Sequence, residues 1–236
     1  MKKIGILFVA ILTFSQVNAQ TSIFNELLQK HVTKNGIVDY KAFKKDEAKL
    51  DSYISYLEKT STQNSWSENK QRAFWINAYN AYTIKLILEN YHVKSIMDIK
   101  QKGKSAWKIS FAKVGGKTYT LDHIEHEILR KNLFDPKIHV GVNCASGSCP
   151  KLGNIAFTEE NVETTLEKLM KEFINDASRN KLSKKKVQIS SIFDWFKGDF
   201  TKNGSVIDYL NKFSETEIKS NAKISYLKYD WSLNGK

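Results

Sequence analysis

The stretch Phe74-Trp75-Ile76-Asn77-Ala78-Tyr79-Asn80-Ala81-Tyr82 constrains the fold more than any other part of the chain. It sits inside a helix-period segment that Ser67 is placed to cap and that runs to about Tyr91. The block is apolar almost all round, and a helix of that kind is buried. Other elements must therefore be built around it. Asn77 and Asn80 are three apart and share one face of this helix. Buried amides need hydrogen-bond partners, so these two either brace neighbouring backbone or line a cavity and bind substrate.

The surrounding pattern mixes helices with short strands. Ser22 to Val32 and Lys41 to Lys59 read as amphipathic helices, separated by the Asn35-Gly36 turn and an extended Ile37-Val38-Asp39-Tyr40. Lys108 to Val114 and Lys117 to Thr120 flank Gly115-Gly116 as a hairpin. Leu121 to Arg130 is helical, with Asp122 and Glu125 spaced as an Asp form of the capping box. Lys137 to Val142 is strand-like, Thr158 to about Arg179 a long helix, and Val187 to Ser190 short and extended. An aromatic run over Ser191 to Phe200 and a helix over Val206 to Phe213 precede a strand-like tail, Ala222 to Leu233. Without regular βαβ alternation, the expectation is an α+β fold: a single compact domain with helices packed on a small, mostly antiparallel sheet.

The N-terminus reads as a cleavable export signal. Lys2 and Lys3 form the positive end, Ile4 to Phe14 an apolar run too short to span a bilayer, and Val17-Asn18-Ala19 the cleavage site. The domain plan is thus a signal peptide over 1–19 and one domain over 20–236, secreted or periplasmic. Cleavage removes two lysines and no acidic residue, leaving 35 Lys and Arg against 25 Asp and Glu, a net charge of +10. The basic residues are dispersed over amphipathic segments, and no nucleic-acid-binding motif accompanies them, so a nucleic-acid partner is not expected. No later run is apolar and long enough for a transmembrane segment. The oligomeric state is not encoded in any feature of the sequence.

The stretch richest in chemistry is His139-Val140-Gly141-Val142-Asn143-Cys144-Ala145-Ser146-Gly147-Ser148-Cys149-Pro150. An apolar segment enters a turn of small residues, with Cys144 at the junction. Backbone N–H groups of such a turn can converge on a thiolate or an oxyanion. Ser146 and Gly147 are therefore candidates to contact substrate, the Gly147 turn holding the oxyanion. In an exported protein Cys144 and Cys149 also read as a local disulfide, although so short a loop stabilises little.

A nucleophilic cysteine needs a base. If His139 to Asn143 is extended, His139 and Cys144 lie about 16 Å apart, at roughly 3.3 Å per residue. His126, on another element, has no such restriction. Glu125 and His126 are sequence neighbours, so on a helix they point in different directions. The self-consistent sets are Cys144 with His126, or Cys144 with His139 and Glu125 as orienter, the first slightly favoured. His123 and His126 match no standard zinc spacing, and no metal or other cofactor is expected. Binding without catalysis remains the competing reading, with Trp75, Trp107 and Trp195 as candidate walls of a ligand cleft.

Four blocks carry a family resemblance: Phe74 to Asn80, Leu121 to Arg130, His139 to Pro150, and Phe193-Asp194-Trp195-Phe196. Together with the closing Tyr229-Asp230-Trp231-Ser232-Leu233-Asn234, they resemble the domain of unknown function 547 family. The resemblance maps that family's glutamate–histidine pair onto Glu125 and His126, its strand histidine onto His139 and its cysteine onto Cys144. Plant relatives carry serine at the place of Cys149, which implies that Cys144 is the essential thiol. A more distant similarity to papain-like and transglutaminase-like cysteine hydrolases implies a papain-like fold with permuted order, since here the histidines precede the cysteine. On that footing the expected activity is a cysteine-dependent hydrolase or acyl transferase acting on a peptide or small thiol-peptide amide. The alternative is a ligand-binding or scaffold module with a structural Cys/His cluster.

Overall fold

The computed structural model describes residues 20–235, so the expected export signal lies outside the described residues. A helix over residues 20–31 (α1) is followed by α2 (Tyr40–Lys45), α3 (Glu47–Lys59) and α4 (Glu68–Glu89). Ser67 caps α4 by accepting from the Lys70 N–H at 3.1 Å. Trp75, Ile76 and Tyr79 of α4 are buried, each contributing about 1.5–3 kcal/mol by leaving water. α4 packs on α2 and α3 and on two later helices.

The single helix expected over Lys41 to Lys59 is instead two. Asp46 breaks it, because its carboxylate turns to take Lys30 at 2.6 Å and His31 at 2.7 Å.

Small strands follow. β1 (Lys100–Gln101) pairs with β2 (Lys104–Ser105), and β3 (Ala112–Val114) pairs with β4 (Lys117–Tyr119), both antiparallel. Gly115 and Gly116 form the expected hairpin turn with φ of 56° and 76°, backbone that glycine adopts without steric cost. The expected strand is shorter than its pattern, since Ala106–Lys108 is a turn of 3₁₀-helix.

Two sequence expectations fail next to each other. The helix after β4 is a π-helix, His123–Asn132, and Asp122 makes no side-chain cap. Thr120 Oγ1 accepts from the His123 N–H at 3.0 Å instead, so the Asp122–Glu125 capping box is absent. The segment read as a strand before Cys144 is a short helix, α5 (Ile138–Gly141). Asp135 Oδ1 takes the Lys137 N–H at 2.8 Å and starts that turn.

α6 (Val162–Asn175) is shorter than expected, because Thr158 and Asn161 bond each other's backbone in a turn ahead of it. β5 (Lys181–Leu182) and β6 (Lys186–Ile189) lead to α7 (Ile192–Trp195), α8 (Lys197–Phe200), α9 (Val206–Asn211) and β7 (Lys223–Tyr226). β5 and β6 are antiparallel, whereas β6 and β7 are parallel. The protein is α+β as expected, but its strands form three separate small sheets. One hydrophobic core runs from Phe24 to Ala222. Among the described residues no helix is long and apolar enough to cross a membrane.

Candidate active site

The loop after α5 is held by a chain of amides. Asn80 of α4 donates to Gly141 O at 2.8 Å and accepts from the Asn143 N–H at 2.9 Å. Asn143 in turn donates to Pro150 O at 2.9 Å and accepts from the Ala145 N–H at 2.9 Å and from Asn234 Nδ2 at 3.1 Å. Tyr40 OH donates to Asn234 Oδ1 at 2.8 Å and completes the chain. Every member is buried, and a fully satisfied buried network fixes one geometry. It holds Ala145 at φ 58°, an uncommon value for a residue with a Cβ.

Cys144 emerges from this loop half-buried, and both cysteines are free thiols. The Cys144 N–H donates to Cys149 Sγ at 3.2 Å. Ser146 Oγ lies 3.0 Å and Tyr229 OH 3.4 Å from Cys144 Sγ. Hydrogen bonds from Cys149, Ser146 and Tyr229 pull the Cys144 thiol below its ordinary value, against the opposing effect of burial. Burial and the neighbouring Cys144 push the Cys149 thiol up. Of the two, Cys144 is the one that ionises first.

The cleft beside Cys144 encloses about 220 Å³. Trp107, Trp195, Tyr229 and Trp231 form an aromatic wall, with Trp195 and Trp231 stacked at 5.8 Å. Asp122, Glu125, His126 and His139 supply the polar lining. Trp75 is not a wall residue, being packed in the core against Phe74 and Tyr119.

His139 Nε2 meets Asp199 Oδ2 at 2.8 Å, while Arg130 grips the same carboxylate with Nε at 2.7 Å and a terminal nitrogen at 3.1 Å. Burial opposes the charge on Asp199, but the bonds from His139 and Arg130 hold its carboxyl well below the usual range. An ionised Asp199 can only accept, so Nε2 of His139 carries the proton and Nδ1 is the basic nitrogen. Burial lowers the His139 value despite Asp199, which keeps the ring neutral. Phe196 stacks on it at 4.2 Å. His126 Nδ1 accepts from Arg130 at 3.1 Å, and its Nε2 lies 3.9 Å from Asp122.

Glu125 is buried in the same cleft. Burial pushes its carboxyl up, although His126, Tyr79 and Arg130 act the other way. The carboxylate bonded to His139 is that of Asp199, so the place of His139 orienter assigned to Glu125 from sequence falls to Asp199.

The sequence-chosen residues thus divide. Cys144, His126, His139 and Glu125 line one cleft, and Ser146 joins them through its hydroxyl. Among the described residues the hydrogen-bond partners of Cys144 Sγ are Ser146 Oγ and Tyr229 OH, and no imidazole is one of them. The Gly147 N–H is taken by Ser232 O at 2.7 Å, so it does not serve as an oxyanion donor. Neither asparagine lines the cleft: Asn77 holds both backbone groups of Phe157, at 2.7 and 2.9 Å, and Asn80 braces the loop from behind. His123 is exposed beside Tyr119. No group of three or more His, Cys, Asp or Glu suited to a metal ion occurs among the described residues. Asp199 and Tyr229 were missed as functional side chains. Asp199 lies in the aromatic segment Phe196–Phe200, and Tyr229 opens the closing block that shares in the family resemblance, but neither position signals a role by itself.

Fold and site together define an α+β protein with a cysteine-bearing aromatic cleft. Residues 63–174 match the family described as "Protein of unknown function, DUF547", which bears out the sequence resemblance over that segment. The matched segment contains Glu125, His126, His139, Cys144 and Cys149, and ends before Asp199 and Tyr229. No curated protein matches, and no solved structure matches, so the papain-like similarity gains no support.

Proposed function

We propose that this chain is an exported cysteine-dependent hydrolase or acyl transferase acting on peptide or thiol-peptide amides. The observation that carries this reading is the setting of Cys144. Its sulfur is met by two hydroxyls, Ser146 Oγ and Tyr229 OH, in a cleft it shares with a histidine whose tautomer is fixed by a carboxylate. A thiolate so stabilised attacks the substrate carbonyl carbon. The leaving amine takes a proton from Glu125, whose burial favours the neutral acid. His139, neutral with a basic Nδ1, then draws a proton from the water or acceptor amine that releases the acyl group. Tyr229 OH, 3.4 Å from the sulfur, is the hydroxyl best positioned to meet the developing oxyanion.

The test is to mix the reduced protein with a peptide thioester, quench, and locate the acyl group by mass. The proposal expects one acyl group on Cys144 and none after Cys144→Ser. Acylation of surface lysines alone contradicts it. The second reading, a ligand-binding module, is favoured by the absence of an imidazole among the sulfur's hydrogen-bond partners. It expects peptide ligands to quench Trp195 fluorescence equally well in the protein and in Cys144→Ser, without turnover.

A further inference from the structure

Cys149 is a buried thiol that the proposed chemistry does not use, yet it touches the thiol that does the chemistry. We propose that Cys144 is a site of reversible oxidation by hydroperoxides, with Cys149 as its resolving thiol. Three features of the geometry carry this. The Cys144 N–H already points at Cys149 Sγ, 3.2 Å away, which brings the second sulfur against the backbone of the first cysteine. The pair is asymmetric in access: Cys144 is half-buried at the cleft, whereas Cys149 is buried behind it. Both cysteines nevertheless line the same cleft, so an oxidant admitted to one reaches the immediate neighbourhood of the other.

The chemistry balances with a hydroperoxide as the only co-reactant. The Cys144 thiolate attacks one peroxide oxygen, the O–O bond breaks, and hydroxide (or alkoxide) leaves. Sulfur is oxidised by two electrons to sulfenic acid, and the peroxide is reduced. Cys149 then attacks the Cys144 sulfur, forming the S–S bond and breaking the S–O bond. The departing hydroxide takes the Cys149 proton as water. A solvent-reachable thiolate beside a second thiol is the arrangement that stops oxidation at the reversible stage. The disulfide also caps the nucleophile, so oxidation would switch off any acyl transfer at Cys144.

The bonds that hold the ends of the loop do not run through either sulfur. The ends are held by Asn143 and by Arg179, which donates to Cys149 O at 2.9 Å and Gly147 O at 3.3 Å. The inference does not require the hydrolase reading, only access of peroxide to Cys144.

The experiment treats the reduced, purified protein with hydrogen peroxide, blocks remaining thiols with maleimide, and maps both cysteines by mass. The expected result is loss of both thiols together as an internal disulfide, with full recovery on dithiothreitol. In Cys149→Ser, dimedone should trap a sulfenic acid on Cys144. Irreversible over-oxidation of Cys144 with Cys149 still a thiol, or two thiols unchanged, overturns the proposal. The wild-type measurement stands alone should the variant fail to fold. Peptide-thioester acylation of the reduced protein is read separately, so either idea can fail without the other.

Discussion

Asp199 accepts the Nε2 proton of His139 at 2.8 Å while Arg130 clamps the same carboxylate from the other side. Three residues far apart in sequence are thereby locked into one tautomer and one orientation. Replacing Asp199 by Asn removes the charge that selects the Nε2–H form. Acyl turnover should fall about 100-fold or more, the range for a misplaced acid–base catalyst. Alkylation of Cys144 at high pH, which needs no histidine, should stay within a few-fold. A parallel loss of both would mean that Asp199 is only structural.

His139 is held neutral by burial, so its folded pKa lies below the ordinary value of about 6.5. Below that value the unfolded chain binds the proton more readily than the folded one. Stability should therefore fall as pH drops from about 6.5 toward the folded pKa. Asp199 acts at lower pH: its stabilisation is present above about pH 4 and is lost as pH falls toward its depressed folded value. The imidazole resonances of His139, followed through a pH titration, should show a midpoint below 6.5. A midpoint above it would contradict the neutral-base assignment.

Asn80→Ala would leave the Gly141 carbonyl and the Asn143 N–H buried without a partner. At about 1–3 kcal/mol for each of the two orphaned groups, a loss of about 2–6 kcal/mol is expected from urea unfolding. Asn77→Ala should cost a similar amount through Phe157. Only the Asn80 variant should also change the Cys144 alkylation rate, because only Asn80 braces the cysteine loop. Equal effects on that rate would contradict the division of labour between the two amides.

How much of this was legible in the sequence varies with the range of the interaction that fixes each part. α4 follows from the all-round apolar block Phe74–Tyr82, and the β3–β4 turn from two adjacent glycines, because both signals are local. α5 reads as a strand in the sequence because His139-Val140-Gly141-Val142 alternates like one. What decides it is tertiary: Gly141 lies under Ile76 and Leu166, where a Cβ would come within 3.1 and 2.8 Å of their methyls. The π-helix has no pattern of its own, since bonds to the fifth residue are not written in apolar spacing. Cys144, His126, His139 and Glu125 stood out as chemical types and do share a cleft. Asp199 did not, because its meaning depends on Arg130 and His139, which lie 69 and 60 residues away.

Tyr229→Phe removes a hydroxyl 3.4 Å from Cys144 Sγ, and Ser146→Ala removes one at 3.0 Å. Ser146 Oγ donates its one proton to Tyr229 OH at 2.9 Å, which strengthens Tyr229 as the donor to the sulfur, so each loss should raise the Cys144 pKa. A hydrogen bond of about 0.5–1.5 kcal/mol corresponds to a rise of up to about one pH unit. The alkylation profile of each variant measures it. An unchanged or lowered midpoint would contradict the assigned role of these hydroxyls.

If Cys144 is an activated nucleophile, the pH dependence of its alkylation shows it. Reduced protein is treated with iodoacetamide across pH, and Cys144 and Cys149 are followed separately by peptide mapping. The expected Cys144 midpoint lies below the ordinary thiol value of about 8.5, with Cys149 reacting only at higher pH. A Cys144 midpoint at or above about 8.5, or Cys149 reacting first, would contradict it.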